Sequence, residues 1–385
     1  MVVMQPDVVV VGAGIIGAAC AEALSAAGVR VTVIDQGAPA GGTTAAGEGN
    51  VLLSDKSPGP ELALAQASVA RWPKLLATLA DLLGPGQAEV EWDAKGGLVV
   101  ALENADALAE FAENQRRAGV RAEEITAADA VALEPNLNRD VLAAVHYPDD
   151  AQLQPVLAAT TLLAAVRRRG GQVRGGVTAL GLRPGGLRTS EGFLHCGAVV
   201  NACGPWAGRF SREAGAPIDI QPRRGVVLVT SHTSYTVRHK VYDADYVGAV
   251  ESGAADLQTS TVVESTRAGT ILIGSSRERV GFDETIRVAV LRELARKAVR
   301  LFPSLATIPI MRAYGGFRPY APDHLPVIGP DPRVPGLWHA TGHEGAGIGL
   351  AAATGHLLAD LFLGREPEVD PVPFRVDRPA VMTCA

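Results

Sequence analysis

Val8 to Val11 is an unbroken run of β-branched residues, the pattern of a strand buried on both faces. Gly12-Ala13-Gly14-Ile15-Ile16-Gly17 follows it and opens an apolar helix through Ala27. Val29 to Ile34 then makes a second, parallel strand ending in Asp35. Beyond residue 50 the apolar period lengthens to that of helices, over Pro60 to Leu83, Asn104 to Ala118 and Gln154 to Arg169. Strands return at Gly171 to Val177, around Leu180 to Leu182, and along the buried run Ala198 to Gly204. From 222 to 282 the pattern is strand-rich, with Val226 to Thr230, Thr259 to Glu264 and Thr270 to Ser275 as its clearest members, and predicts an antiparallel sheet in a second domain. A charged helix over Asp283 to Leu301 closes that block before Pro303. A strand at Leu337 to Ala340 and a helix at Ile348 to Leu363, stopped by Gly364, complete the regular structure. The tail from Pro367, with Pro371, Pro373 and Pro379, reads as extended, and no internal repeat is visible.

The first glycine turn carries chemistry because of its context. Strand, turn, helix, strand and an acid about twenty positions after the glycines form a dinucleotide fingerprint. Gly12 permits the tight turn, Gly14 lets backbone approach a pyrophosphate, and Gly17 allows close packing of helix on strand, while the N-terminus of the helix at Ile15 and Ile16 faces the anion. Asp35, next to Gln36, accepts from a ribose hydroxyl and repels a 2'-phosphate, which disfavours NADP.

A second glycine-rich turn, HATGHEGAGIGLAAATG from His339 to Gly355, enters a helix near the far end of the chain. A nicotinamide dehydrogenase has no use for it in that place. A flavin does, since the reduced ring carries negative charge around N1 and the C2 carbonyl, and a helix N-terminus aimed there stabilises it. Gly342, Gly345, Gly347 and Gly349, with Ala346 and Ile348 between them, let backbone run close to a flat ring. On this reading the first turn holds the pyrophosphate and the second the redox ring.

Length and composition narrow the class. At 385 residues and 47% hydrophobic the chain is expected to form two intertwined domains. A net charge of -6, with no basic run beyond Arg167-Arg168-Arg169, leaves no footprint for nucleic acid. No signal-type leader and no uninterrupted apolar stretch of about eighteen residues is visible, so no membrane span is expected and the protein is read as cytoplasmic. Cys20, Cys196, Cys203 and Cys384 stand far apart, in a pattern for neither a metal site nor a disulfide framework.

Taken in order, VVVVGAGIIG, Asp35, TTAAGEGN (Thr43 to Asn50), VVNACGPWAG (Val199 to Gly208), PRRGVVL (Pro222 to Leu228), GGFRPYAPDHLPVIG (Gly315 to Gly329) and GHEGAGIGLA (Gly342 to Ala351) make the chain resemble the D-amino-acid oxidase superfamily of FAD-dependent oxidoreductases. The pattern is most similar to glycine oxidase, sarcosine oxidase and the catalytic subunits of opine and hydroxyproline dehydrogenases. The resemblance implies an α/β fold: a Rossmann-type FAD-binding domain (1-85, 146-220 and 310-385) interleaved in sequence with an antiparallel-sheet α+β substrate domain (86-145 and 221-309). It implies non-covalent FAD, because the sole cysteine after Cys203 is Cys384 in the tail, where sarcosine oxidases use one in the final third of the chain. By position, Val177 offers adenine a backbone pair, and Thr43, Thr44, Gly47, Gly49 and Asn50 line the diphosphate and flavin edge. Ala202, Gly204 and Trp206 lie at the second dinucleotide-proximal strand end. Arg318 matches the arginine that grips a substrate carboxylate bidentately.

The implied reaction is oxidation of an amino acid or secondary amine, by hydride transfer to flavin N5 and hydrolysis of the imine, with electrons passing to oxygen or to a partner subunit. Assembly with copies of itself or with other subunits is open. Two other readings also stay open: a 2-hydroxy-acid or polyol-phosphate dehydrogenase, and a non-catalytic FAD-binding electron-transfer subunit. His324 and His343 are candidates for tuning the amine's protonation. Two departures mark this chain. Where glycine oxidase-like members carry an Arg-Asn pair in the final turn, Glu344-Gly345-Ala346 stands, and Glu344 either faces the pocket to meet a second cationic group or caps the helix. Where several members place a tyrosine, Thr259 to Glu264 has none, which leaves Tyr242, Tyr246 and Tyr320 as substitutes.

Overall fold

The computed structural model describes residues 5–234, 237–245 and 252–382. Its first layer is a six-stranded sheet in the order Val327–Pro330, Leu337–Thr341, Ala198–Asn201, Val8–Val11, Val31–Asp35, Gln172–Gly175. The strands run parallel except for the antiparallel outer pair at 327–330 and 337–341. Val8–Val11 sits in the middle, buried at all four positions, as a continuous β-branched run requires. The helices Ile15–Ala26, Pro155–Arg168, Gly347–Phe362 and Pro60–Leu83 pack together over this sheet, with Leu24, Leu62, Leu162 and Leu358 in one hydrophobic core.

The second layer is an eight-stranded mixed sheet in the order Ile310–Tyr320, Gln221–Thr230, Ile271–Arg277, Gln258–Ser265, Lys240–Asp243, Gly97–Ala101, Ala143–Tyr147, Glu123–Ile125. The helix Val288–Leu301 covers it through Val290, Leu294, Ala298 and Leu301, one stripe at helical spacing. A three-stranded antiparallel sheet, Ala179–Arg183, Gly186–Thr189 and Gly192–His195, stands apart from both.

The strand expected around Leu180 to Leu182 is present as Ala179–Arg183 in that small sheet. Several expectations are corrected by tertiary contacts. The helix expected from Asp283 starts at Val288, because Arg224 holds the Asp283 carboxylate at 3.1 Å and its carbonyl at 2.7 Å. The PRRGVVL segment is no turn: it lies inside the long strand Gln221–Thr230. Ile310–Tyr320, grouped by sequence with the FAD-binding segments, is hydrogen-bonded along nearly its whole length to Gln221–Thr230 in the eight-stranded sheet. The proline-rich tail is docked, with Phe374, Val376 and Val381 buried and Arg378 paired to Asp323 at 2.8 Å.

Candidate active site

Gly12 leaves the central strand at φ 110°, and a Cβ there would stand 2.3 Å from the carbonyl oxygen of Ala202. At Gly17 a Cβ would meet the carbonyl oxygen of Gly12 at 1.9 Å, so this glycine closes the turn on itself. Thr44 Oγ1 accepts from the Ile15 N–H at 2.9 Å, which ties the helix entry to the Thr43–Ala46 turn. The Asp35 carboxylate accepts from the N–H groups of Ala13 and Gly37, each at 2.8 Å, and so shapes the turn as well as bordering the site.

A cavity of about 570 Å³ extends from this turn to the second one. Its wall includes Gly12, Gly14, Ile15, Ile16, Asp35, Gln36, Thr43, Thr44, Gly47, Asn50, Val177, Ala202, Gly204, Trp206, Arg318, His343, Glu344, Gly345, Gly347 and Ile348, all expected from sequence. Gly17, Gly49, Ala346, Gly349 and Tyr320 are not part of that wall. For two of the glycines the reason is packing: a Cβ on Gly49 would lie 1.9 Å from the Leu153 carbonyl oxygen, and one on Gly349 would lie 3.0 Å from that of Asn50. Val177 lines the cavity but donates its N–H to the Asp35 carbonyl at 2.8 Å, so half of the backbone pair expected to meet adenine is engaged within the protein. Trp206 stacks on Phe282 with centroids 5.3 Å apart, an aromatic contact that no local pattern signals.

Arg318 reaches the cavity because glycines flank it. A Cβ on Gly225 would stand 2.1 Å from its Nη1, and one on Gly345 would stand 3.4 Å from its Nε. Its Nη1 donates to the Ser276 carbonyl at 2.9 Å. Neither reading of Glu344 describes what its carboxylate does. Its Oε2 accepts from Arg223 Nη1 at 3.0 Å, and its Oε1 is 2.8 Å from His324 Nδ1. With both oxygens engaged away from the helix entry, Glu344 is no cap, and a second cationic group would have to compete with Arg223 for it.

Arg223 itself was not singled out from sequence, and its charge is wholly buried. Its Nη2 also donates to the Ser252 carbonyl at 2.7 Å. Burial pushes the guanidinium's pKa down while the Glu344 carboxylate pulls it back. The hydrogen bond to Glu344 raises the pKa of His324, with burial opposing.

His343 behaves differently from the tuning role expected of it. Burial pushes its pKa down to about 3, its Nε2 lies 3.0 Å from Thr354 Oγ1, and its Nδ1 has no hydrogen-bond partner among the described residues. It is a neutral wall residue at physiological pH.

The tyrosine question closes in part. Tyr320 is buried, with Arg279 at 4.7 Å and Arg223 at 5.5 Å from its ring centroid, and does not line the cavity. Tyr242 is wholly buried in the core and does not reach the cavity, and Tyr246 lies outside the described residues, as does Cys384. The thiols of Cys20 and Cys196 are pushed up by burial to about 12 and about 11, so both stay protonated. Among the described residues no cluster of His, Cys, Asp and Glu suits a metal ion, and no helix is long and apolar enough to cross a membrane.

The site has the parts an FAD requires: a backbone turn lined by Gly12 and Gly14 at one end, and a glycine-rich helix entry beside a buried neutral histidine at the other. The family model described as "FAD dependent oxidoreductase" matches residues 7–361. The chain is similar to glycine oxidase of Pseudomonas aeruginosa, 31% identical over 96% of this chain and 98% of that one. It is also similar to a hydrogen cyanide synthase subunit of the same organism, 29% identical over 97% of this chain and 96% of the relative. Among solved structures, glycine oxidase from Geobacillus kaustophilus superimposes with a TM-score of 0.87 at 26% identity, covering 97% of this chain and 99% of that one.

Proposed function

This chain belongs to the FAD dependent oxidoreductase family, and from that premise we propose that it oxidises the C–N bond of a small amino acid or carboxylate-bearing secondary amine. The observation that carries this reading is that Arg318 shares one continuous cavity with the glycine turn after the first strand. An arginine fork matches a carboxylate. FAD bound in that cavity supplies the two-electron acceptor.

The chain's own residues supply orientation. Gly12, Gly14, Ile15 and Ile16 hold the pyrophosphate by backbone, and Gly345, Gly347 and Ile348 run beside the ring. Arg318, braced by the Ser276 carbonyl, fixes the substrate carboxylate so that the α-carbon meets the ring in one pose. Attachment of FAD is non-covalent on this reading, since burial pushes up the thiols of Cys20, Cys196 and the cavity-lining Cys203.

Anaerobic titration tests the proposal. Purified yellow protein should bleach with at least one of glycine, sarcosine or a related amino acid, and acid precipitation should leave FAD in the supernatant. A flavin bleached by glycolate and by no amine would overturn the C–N reading.

A further inference from the structure

The loop between Gly47 and Gly49 brings a second acid, Glu48, into the cavity wall. Its Oε1 is buried without a hydrogen-bond partner, and no ion pair to its carboxylate is present among the described residues. Four other acids among the described residues each have at least one partner, although Glu134 Oε2 and Glu264 Oε1 are also without one. Glu134 accepts from the His239 N–H, Asp150 from the Leu53 N–H, Glu264 from Lys240 and Glu278 from Arg224. The buried ammonium that reaches this loop is committed elsewhere, since Lys240 Nζ donates to Glu264 Oε2 at 2.5 Å and also to Asn50 Oδ1. An acid kept at such a place without a donor is costly as pure structure.

Its position relative to Arg318 gives that acid a use. Glu48 rests on Gly274, where a Cβ would stand 2.3 Å from Oε1, and Arg318 donates to the carbonyl of Ser276, two residues along the same strand. Both residues line the same cavity, so one small ligand can offer a carboxylate to Arg318 and an amine to Glu48.

We propose that Glu48 recognises the substrate's amine: its carboxylate accepts from the N–H of a ligand whose own carboxylate is held by Arg318, so that the pocket selects α-amino and α-alkylamino acids over 2-hydroxy acids. This rests on the reading of the site given above and names the group that decides its substrate class. A carboxylate acceptor favours a cationic donor over a neutral hydroxyl, and an acid without a partner penalises a ligand that brings no donor.

The test uses the FAD-loaded protein and two ligands that cannot be oxidised at a C–N bond, 2-aminoisobutyrate and isobutyrate, with binding read from the perturbed visible spectrum of the flavin. The unmodified protein should bind 2-aminoisobutyrate about tenfold or more tightly than isobutyrate. In Glu48→Gln that ratio should fall to one or below, with FAD content and Tm nearly unchanged. Glu48→Ala reads the same ratio should the glutamine variant lose FAD. An unchanged ratio in the variants, a preference for isobutyrate in the unmodified protein, or no perturbation by either ligand overturns the assignment. The two readings fail separately: amine oxidation with an unchanged ligand ratio removes only the role of Glu48, whereas bleaching by glycolate alone removes the C–N activity.

Discussion

Arg223 and Glu344 form an ion pair of 3.0 Å in which the guanidinium has no solvent exposure and the carboxylate 15%. Removing one partner of a buried pair leaves the other charge uncompensated, which costs more than the pair itself contributes. Glu344→Gln is therefore expected to lower the stability of the FAD-loaded protein by about 3 kcal/mol in denaturant unfolding, well beyond the roughly 1 kcal/mol of a lost helix cap. The loss should also depend on pH. Glu344 raises the pKa of His324 in the folded state, so that interaction adds stability below the ordinary histidine value of 6.5 and loses it as pH rises through the folded value. The variant should thus lose more stability at pH 6 than at pH 8. A loss of cap size, equal at both, would show that the pair compensates nothing.

Arg318 reaches the cavity from the strand next to Arg223 but has a different task. Arg318→Leu should keep FAD, since the cradle lies at the other end of the cavity, while the KM for carboxylate substrates rises steeply. Truncating one side of a desolvated charge pair typically costs about 2 to 5 kcal/mol. Amines without a carboxylate should be nearly indifferent. Equal losses for both classes in steady-state kinetics would make Arg318 a structural residue.

The parts of this site legible in sequence are those built from neighbours in the chain. A β-branched run, a glycine spacing and a terminal acid are local, and they placed the turn after Val11 and its cavity. The second turn was legible for the same reason. Spacing could not separate glycines that line the cavity, such as Gly14 and Gly347, from Gly17, Gly49 and Gly349, because close packing and ligand approach both forbid a side chain. The Arg223–Glu344 pair joins positions 121 residues apart, and the lack of a partner at Glu48 Oε1 is a property of the tertiary packing that no local spacing reports. Asp283 was assigned to a helix because its surroundings read as helical, and a buried arginine on another strand keeps it out.

That distinction among glycines gives a graded test. A Cβ on Gly14 would meet Thr44 Oγ1 at 3.1 Å, a contact that a small shift relieves, whereas one on Gly17 would press on backbone at 1.9 Å. Gly17→Ala should cost more stability and more FAD than Gly14→Ala, although only Gly14 borders the cavity. A Gly14→Ala protein with full FAD beside a colourless Gly17→Ala protein is the expected pair. The reverse order would mean that ligand approach, and not closure of the turn, limits this segment.

His343 makes the site sensitive to acid. Its folded pKa, about 3, lies below the ordinary value of 6.5, so the folded state binds fewer protons than the unfolded chain between those limits. The stability it contributes is complete above pH 6.5 and is lost as pH falls toward 3, on the order of 5 kcal/mol when fully titrated. Asp150, pushed up to about 7 by burial, acts in the opposite sense, its contribution fading as pH rises from about 4 to 7. Replacing His343 with Gln removes the first term and leaves the second, at a cost of about 1 kcal/mol for the bond to Thr354. Thermal unfolding of the FAD-loaded proteins, followed by flavin fluorescence at pH 4.5 and 7.5, should show a change of Tm on acidification that is more favourable in the variant than in the unmodified protein. Parallel behaviour of the two proteins would mean that His343 is protonated, or hydrated, in the folded state at the lower pH.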